Sequence, residues 1–379
     1  MDRGRSGEEL NSRRRLSRGI ITVAVVIELL SAIPRFAIKE GSCNTCHINP
    51  NGGALRNDYA GLFISADELP IPKSAKLVQL NDPGQLTDHL RIGADLRGQA
   101  IADSEESSFF PMQADFYAHY DFGGFLDFYI ESEVLRGTTE YWSNVFLPFL
   151  NSFVKVGRLR PAYGLGLDDH TSFVRGGNIN RTHGLLKEGL PFSPMRPPVN
   201  GAEIGFFGTG YLLTGSISNG FLSGESAEAT FLGPPGGRTV VVRGERSFTV
   251  GEISGLAGAS YLFEGETVLK GVFGGISRGP LLWMGEVDLM TGWSGNITGM
   301  ASYSEVAWIA RQGVHLLVKY DFIDEDIEVV ENALSRFSLG VELYPLSFLE
   351  FKLQIRKTFS WEGQRMLPAE ILFQTHAWF

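Results

Sequence analysis

Cysteine is almost absent from this chain: its 379 residues include two, Cys43 and Cys46. No disulfide framework can be built from them. One disulfide, a metal site or a covalently held cofactor remain open. Positive charge is also in deficit. Lys and Arg number 33 against 43 Asp and Glu, a net charge of −10, so a nucleic-acid footprint is not expected. Beyond the N-terminal region no apolar run reaches the ~18 residues of a transmembrane helix, and no internal repeat is evident. Glycine and aromatics are plentiful: 46 Gly, 27 Phe, 11 Tyr and 6 Trp. That mixture suits strands, tight turns and interfacial rings.

The N-terminus reads as an export signal over residues 1–37. Arg13, Arg14, Arg15 and Arg18 form a basic region, and GIITVAVVIELLSA (19–32) an apolar one with Glu28 inside it. This stretch is shorter than the ~20 residues that span a bilayer, which favours cleavage, after Ala32 or Ala37, over an uncleaved anchor. Residues 1–37 hold seven Arg against Asp2, Glu8, Glu9 and Glu28, net +3. Removing them leaves about −13, a charge that favours cations near the loops.

A period of two recurs through the rest. Phe337, Leu339, Val341 and Leu343 interleave with Arg336, Ser338, Gly340 and Glu342. Leu349, Phe351, Leu353 and Ile355 do so with Glu350, Lys352, Gln354 and Arg356. Residues 89–97 and 126–134 behave alike. This is the strand period. Sixteen strands are predicted, near 86–98, 111–122, 125–136, 140–148, 152–160, 201–207, 210–218, 238–251, 255–263, 267–277, 280–290, 297–310, 313–321, 335–344, 347–359 and 369–379. Connections after even strands are short. Those after odd strands include the long ones at 99–110, 161–200, 219–237, 322–334 and 360–368. Such sidedness fits an all-β, 16-stranded antiparallel outer-membrane barrel over 86–379, with short periplasmic turns and long outer loops. A sandwich has no such rule. Ile371, Phe373, Ala377 and the terminal Phe379 alternate to the end, resembling the C-terminal strand by which outer-membrane proteins are recognised.

Residues 38–85 lie between signal and barrel. Their first part reads GSCNTCHINP (41–50); their second, with Pro70, Pro72 and Pro83, reads as a linker. C-x-x-C-H is the attachment signature of c-type haem: Cys43 and Cys46 take the two vinyl groups and His47 lies beneath the iron. A redox C-x-x-C would want a βαβ setting, and a zinc site further ligands nearby; neither is present. NPNGG (49–53) supplies a turn, and ALRNDYAGLF (54–63) a short helix. So short a segment cannot bury a haem alone. The expectation is therefore a haem segment plugging the barrel lumen.

The layout resembles the fused monohaem cytochrome–porin family of outer-membrane iron-oxidising cytochromes. Ala32, Pro34, Phe36, Ala37, Gly41, Cys43, Cys46 and His47 carry the likeness, and Pro50, Gly53, Arg56, Tyr59 and Gly61 echo it loosely. VKVGRLRPAYGLGLDDHTSFVR (154–175) also resembles phosphate-selective-type porins. The first resemblance implies one covalent haem c, Fe(II) as extracellular electron donor, a periplasmic c-type cytochrome as partner, and Fe(II):cytochrome c oxidoreductase activity. It implies an electron conduit set in outer-membrane lipid.

Strand parity turns His89, His119, His315 and His376 to the lumen. His89, His119 and His376, on strands that adjoin after closure, are the candidates for the distal iron ligand; Met112 and Met195 are weaker ones. Asp168, Asp169, His170 and His183, with Glu188, offer nitrogen and carboxylate ligands for extracellular metal capture, or simply a solvated loop. The alternative function is a porin for small ions or anions with the haem segment as plug or redox regulator. Arg91, Arg97, Lys155, Lys319, Lys352 and Arg356 would line its lumen opposite Asp95, Asp127, Glu131, Glu133, Glu286 and Asp288.

Overall fold

The computed structural model describes residues 38, 45–52, 55–61, 64, 69–72, 84–167, 169, 171–176, 190, 197–222, 237–292, 297–329, 331–361 and 364–379. The expected export signal, Cys43, Asp168, His170, His183, Glu188 and Met195 lie outside these residues.

Sixteen strands follow one another: β1 Leu90–Ala102, β2 Ser107–Asp121, β3 Leu126–Glu133, β4 Thr138–Leu147, β5 Ser152–Leu159, β6 Val199–Gly208, β7 Tyr211–Asn219, β8 Arg238–Val250, β9 Ile253–Glu264, β10 Thr267–Arg278, β11 Leu281–Thr291, β12 Thr298–Arg311, β13 Val314–Asp324, β14 Ala333–Leu346, β15 Leu349–Ser360 and β16 Arg365–Trp378. Each pairs antiparallel with its chain neighbours, and β1 pairs with β16 from Asp95↔Trp378 to Ala102↔Ile371. Ala94 and Phe379 exchange backbone hydrogen bonds of 3.1 and 3.2 Å at this seam. The sheet is a closed barrel with no free edge. One end, with short connections such as 209–210 and 312–313, is called here the turn end; the other is the loop end.

Alternation decides which face is which. Outward positions such as Phe128, Tyr141, Val156, Ile204, Tyr261, Trp283, Trp308, Leu339, Ile355 and Phe373 are exposed and apolar, as a lipid-facing barrel wall requires. Inward positions are polar and buried. A carboxylate two residues from an inward aromatic recurs as that ring's acceptor: Tyr129 to Glu131, Trp142 to Glu140, Tyr303 to Glu305 and Tyr344 to Glu342, at 2.7–3.2 Å. Residues i and i+2 share a face, so the strand period itself satisfies these buried groups.

Several boundaries differ from expectation. The connection expected over 99–110 shrinks to 103–106, because β1 and β2 stay paired from Gly98↔Pro111 to Ala102↔Ser107. Likewise β16 begins at Arg365 rather than 369. At the β2 extension Ser107 and Ser108, on opposite faces, are both polar and exposed, so the apolar alternation that marks a strand fades while the ladder continues.

Candidate functional site

Two sets of described residues from outside the strands lie against the inner wall. Toward the turn end, the N-terminal segment folds back as a hairpin. Ile48 N–H donates to Leu55 O and Asn57 N–H to Cys46 O, at 3.1 and 3.0 Å, around a turn closed by Gly52 N–H to Asn49 O. The turn is where NPNGG predicted it. Its tip meets an ion pair on the inner wall. Lys155 Nζ lies 2.8 Å from Glu203 Oε1 and 3.2 Å from Asn49 Oδ1, and Asn51 Nδ2 donates to Glu203 Oε1 at 2.7 Å. Both charges are fully buried and paired, which is what makes them tolerable there. Leu55 packs with Tyr117, Tyr129, Trp142 and Leu159, with Ile48 beside them. Tyr129 and Trp142 stack at 4.7 Å. The Arg56 guanidinium lies 4.9 Å over Trp378, and Asp58 pairs with Arg91. Residues 58–61 are helical, within the stretch expected as one short helix, and residue 64 just beyond it is too. Leu69 packs on Tyr344 and Trp378, and Ile71 N–H donates to Tyr344 O at 2.9 Å. Ile71 lies against Gly313, whose φ of +78° and lack of a side chain permit the contact.

Cys46 is 3 % exposed in this hairpin, with His47 next to it bridged to Arg56. Cys46 and His47 are adjacent on a hairpin whose Ile48 and Leu55 pack beside Tyr117, Tyr129 and Trp142; these are the described residues that would hold a c-type haem.

Of the distal-ligand candidates, His376 is buried, with Nε2 2.9 Å from Asp95 Oδ1 and Nδ1 3.1 Å from Glu350 Oε2. His119 faces inward, its Nε2 3.6 Å from Asp127 Oδ1. His89 departs from the lumen-facing expectation. It precedes β1, is exposed, and lies beside outward Tyr120 with ring centres 6.1 Å apart. Parity does not extend past a strand's end. The expected grouping of the three also does not form. Arg97 is opposite His376 whereas Arg91 is opposite His119, a separation of six residues or about 20 Å along β1. His315 is buried, 3.8 Å from Glu342.

The expected lumen charges do face inward, most of them in ion pairs. From the loop end, residues 161–167, 169 and 171–176 are tied to the inner wall of β8–β14. Arg175 Nη2 lies 2.8 and 3.0 Å from the Glu286 carboxylate oxygens, and Leu165 N–H donates to the same carboxylate at 2.9 Å. Arg243 Nε donates to Gly164 O at 2.8 Å, Tyr163 to Asp288 and Ser172 to Asp321 at 2.9 Å each. Asp169 pairs with Lys319, and Arg336 donates to Thr171 O. Burial alone would raise the Asp169 carboxyl, but Lys319 and Lys352 beside it hold it well below the usual carboxylate range. Burial and Asp288 push the Tyr163 hydroxyl well up, so it stays a donor. Apolar residues fill the space between: Ile38, Leu165, Leu167, Phe173 and Val174 pack with inward Leu256, Phe273, Leu282, Ala301, Tyr303 and Ile323. The sequence did not announce this second anchorage. Its one local signal is the run Tyr163 to Arg175, a buried-residue mixture in a segment whose length alone reads as loop. Among the described residues no group of three or more His, Cys, Asp or Glu is placed to hold a metal ion.

Wall and interior together define a porin-type barrel: sixteen antiparallel strands, apolar outside, charged inside, with a long loop folded inward. No protein-family model matches the sequence, and no curated protein matches it either. Solved structures do. OprB of Pseudomonas putida is similar with a TM-score of 0.57 at 10% identity, over 77% of this chain and 94% of that one. OmpT of Vibrio cholerae gives 0.54 at 10%, over 78% and 100%. An anion-selective porin from Comamonas acidovorans gives 0.51 at 11%, over 76% and 99%. The likeness is one of fold.

Proposed function

We propose that this chain is an outer-membrane electron conduit that holds one haem c, on Cys43, Cys46 and His47, inside a plugged porin-type barrel. Electrons pass between an extracellular donor, Fe(II) by the family resemblance, and a periplasmic c-type cytochrome. The observation that supports this reading most is the place of Cys46. It is buried on a hairpin that packs against the inner wall of the barrel. When bound, the haem supplies a one-electron couple at the turn end, taken as periplasmic because both barrel termini lie there. The chain's own residues do the rest. Lys155, Glu203 and the two asparagines fix the hairpin; the row Tyr117, Tyr129 and Trp142 excludes water beside it; residues 161–176 close the loop end. His119 is the better distal ligand of the candidates, since both ring nitrogens of His376 are engaged by carboxylates.

The fold likeness by itself favours a second reading, a solute porin for small ions or anions with the N-terminal segment as plug or regulator. Planar-bilayer conductance of the full mature chain separates the two, with peroxidase staining for covalent haem as companion measurement. The conduit reading expects stain and low conductance. An unstained protein of free, stable conductance supports the porin and ends the conduit reading.

A further inference from the structure

Two pairs of carboxylates face each other across adjacent strands on the inner wall near the loop end, and they are treated differently. Glu131 of β3 is opposite Glu140 of β4, and Asp115 of β2 is opposite Glu133 of β3. Like charges in directly opposed positions repel. For the first pair the chain supplies a bridge: Arg160 Nη1 lies 2.9 Å from Glu131 and 2.7 Å from Glu140. The second pair has no such bridge. Glu133 has Arg136 at 2.8 Å and the Thr138 hydroxyl at 3.1 Å. Asp95, on the other side of Asp115, has Arg97 and His376. Asp115 stands between these two carboxylates and ion-pairs with no cation among the described residues.

The oxygens tell the same story. Asp115 is 4 % exposed. Its Oδ2 accepts from Gln113 Nε2 and, at 3.4 Å, from the Tyr117 hydroxyl. Its Oδ1 is buried with no hydrogen-bond partner, and so is Gln113 Oε1 two residues away on the same face. Unsatisfied buried acceptors are rare because each costs about 1–3 kcal/mol, more when charged. Every unsatisfied atom of Gln113 and Asp115 here is an oxygen acceptor. A cation completes such a set. Two carboxylates and an amide oxygen are the ligands of a hard divalent ion that keeps part of its water.

We propose that Gln113, Asp115 and Glu133 form a site for one hard divalent cation, Ca²⁺, Mg²⁺ or Mn²⁺, which bridges Asp115 to Glu133 as Arg160 bridges Glu131 to Glu140. The site is independent of the haem reading and of the candidates Asp168, Asp169, His170 and His183 on another segment. With few protein ligands the affinity is modest, Kd on the order of 10⁻⁴ M.

The test is Mn²⁺ titration of the chelator-stripped, full mature protein in detergent at neutral pH, following the free-ion signal by electron paramagnetic resonance. One saturable site is expected. Asp115→Asn and Glu133→Gln weaken it at least tenfold, while Glu370→Gln, on β16 and paired instead with Arg356, leaves it unchanged. Competition by Ca²⁺ and by Mg²⁺ decides which ion is preferred. Heat-modifiable migration on gels confirms that each variant is a folded barrel; should Asp115→Asn not fold, Gln113→Leu carries the comparison. No saturable binding in the wild-type protein, with the pair sharing a proton instead, overturns the proposal. So does wild-type affinity in the folded variants.

Discussion

Arg175→Met is the sharpest test of whether the loop-end plug is held electrostatically. The residue is 3 % exposed, and Glu286, its partner, 1 %. The guanidinium meets both Glu286 oxygens and also donates to the carbonyls of Val174, at 2.7 Å, and Leu165. Methionine keeps the apolar stem and removes the charge. Glu286 is then a buried carboxylate with one remaining donor, the Leu165 N–H. Removing one partner of a buried ion pair costs about 3–5 kcal/mol. At about 1.4 kcal/mol per tenfold change, the ratio of docked to undocked loop falls on the order of 10²–10³. The barrel ladder is untouched, since the lost contacts join Arg175 to the Glu286 side chain and to carbonyls of its own segment. Planar-bilayer conductance should therefore rise, and protease should cut within residues 161–176 of the folded barrel. Adding Glu286→Gln removes the stranded charge and should restore part of the docking. If Arg175→Met stays as closed and as resistant as the wild type, the plug is held by its apolar contacts, and the electrostatic argument is wrong.

Other consequences follow at both ends. A carboxyl depressed as Asp169 is contributes its docking energy at every pH above its ordinary 3.8 and loses it only as pH falls through the lower, folded value. Conductance at about pH 5 should equal that at neutrality, whereas Asp169→Asn should raise both; opening between these two pH values would contradict the Lys319 pairing. Leu55→Asp drives a charge into the Tyr129 and Trp142 wall, at a cost of several kcal/mol. It should expose the N-terminal segment to protease while gel migration stays that of a folded barrel. The double change Cys43→Ala with Cys46→Ala should abolish covalent haem staining without altering that migration, and staining that survives would refute the attachment site.

Much of the wall was legible. Each of the sixteen strands was found because one face meets apolar surroundings and the other polar ones, which prints a period of two on runs such as Phe337 to Leu343. The Cys46–His47 motif and the turn after it were also local, and so readable. What lies inside the barrel was not. Arg175 and Glu286 are 111 residues apart, and nothing in either neighbourhood names the other. The same holds for Asn51 and Glu203. A loop's length says that it leaves the sheet, not which side of the wall it then takes. His89 failed for a smaller reason: a parity argument carried one residue past the start of β1 loses its geometry.

The fold likeness to porins describes the wall, and the wall does not decide function. An aqueous channel keeps its inward charges wet. Here Lys155, Glu203, Glu286, Asp288, Arg336 and Arg356 are at most 2 % exposed. Charges withdrawn that far from water are costly unless paired, and most here are: Lys155 with Glu203, Arg175 with Glu286, Arg356 with Glu370. Such pairing suits an electron conduit and a porin alike, and the two readings differ in what the N-terminal segment carries. Among the described residues of the N-terminal segment, Cys46 and His47 are those that could hold a redox group. That is why the haem stain, rather than the shape of the barrel, separates the two readings.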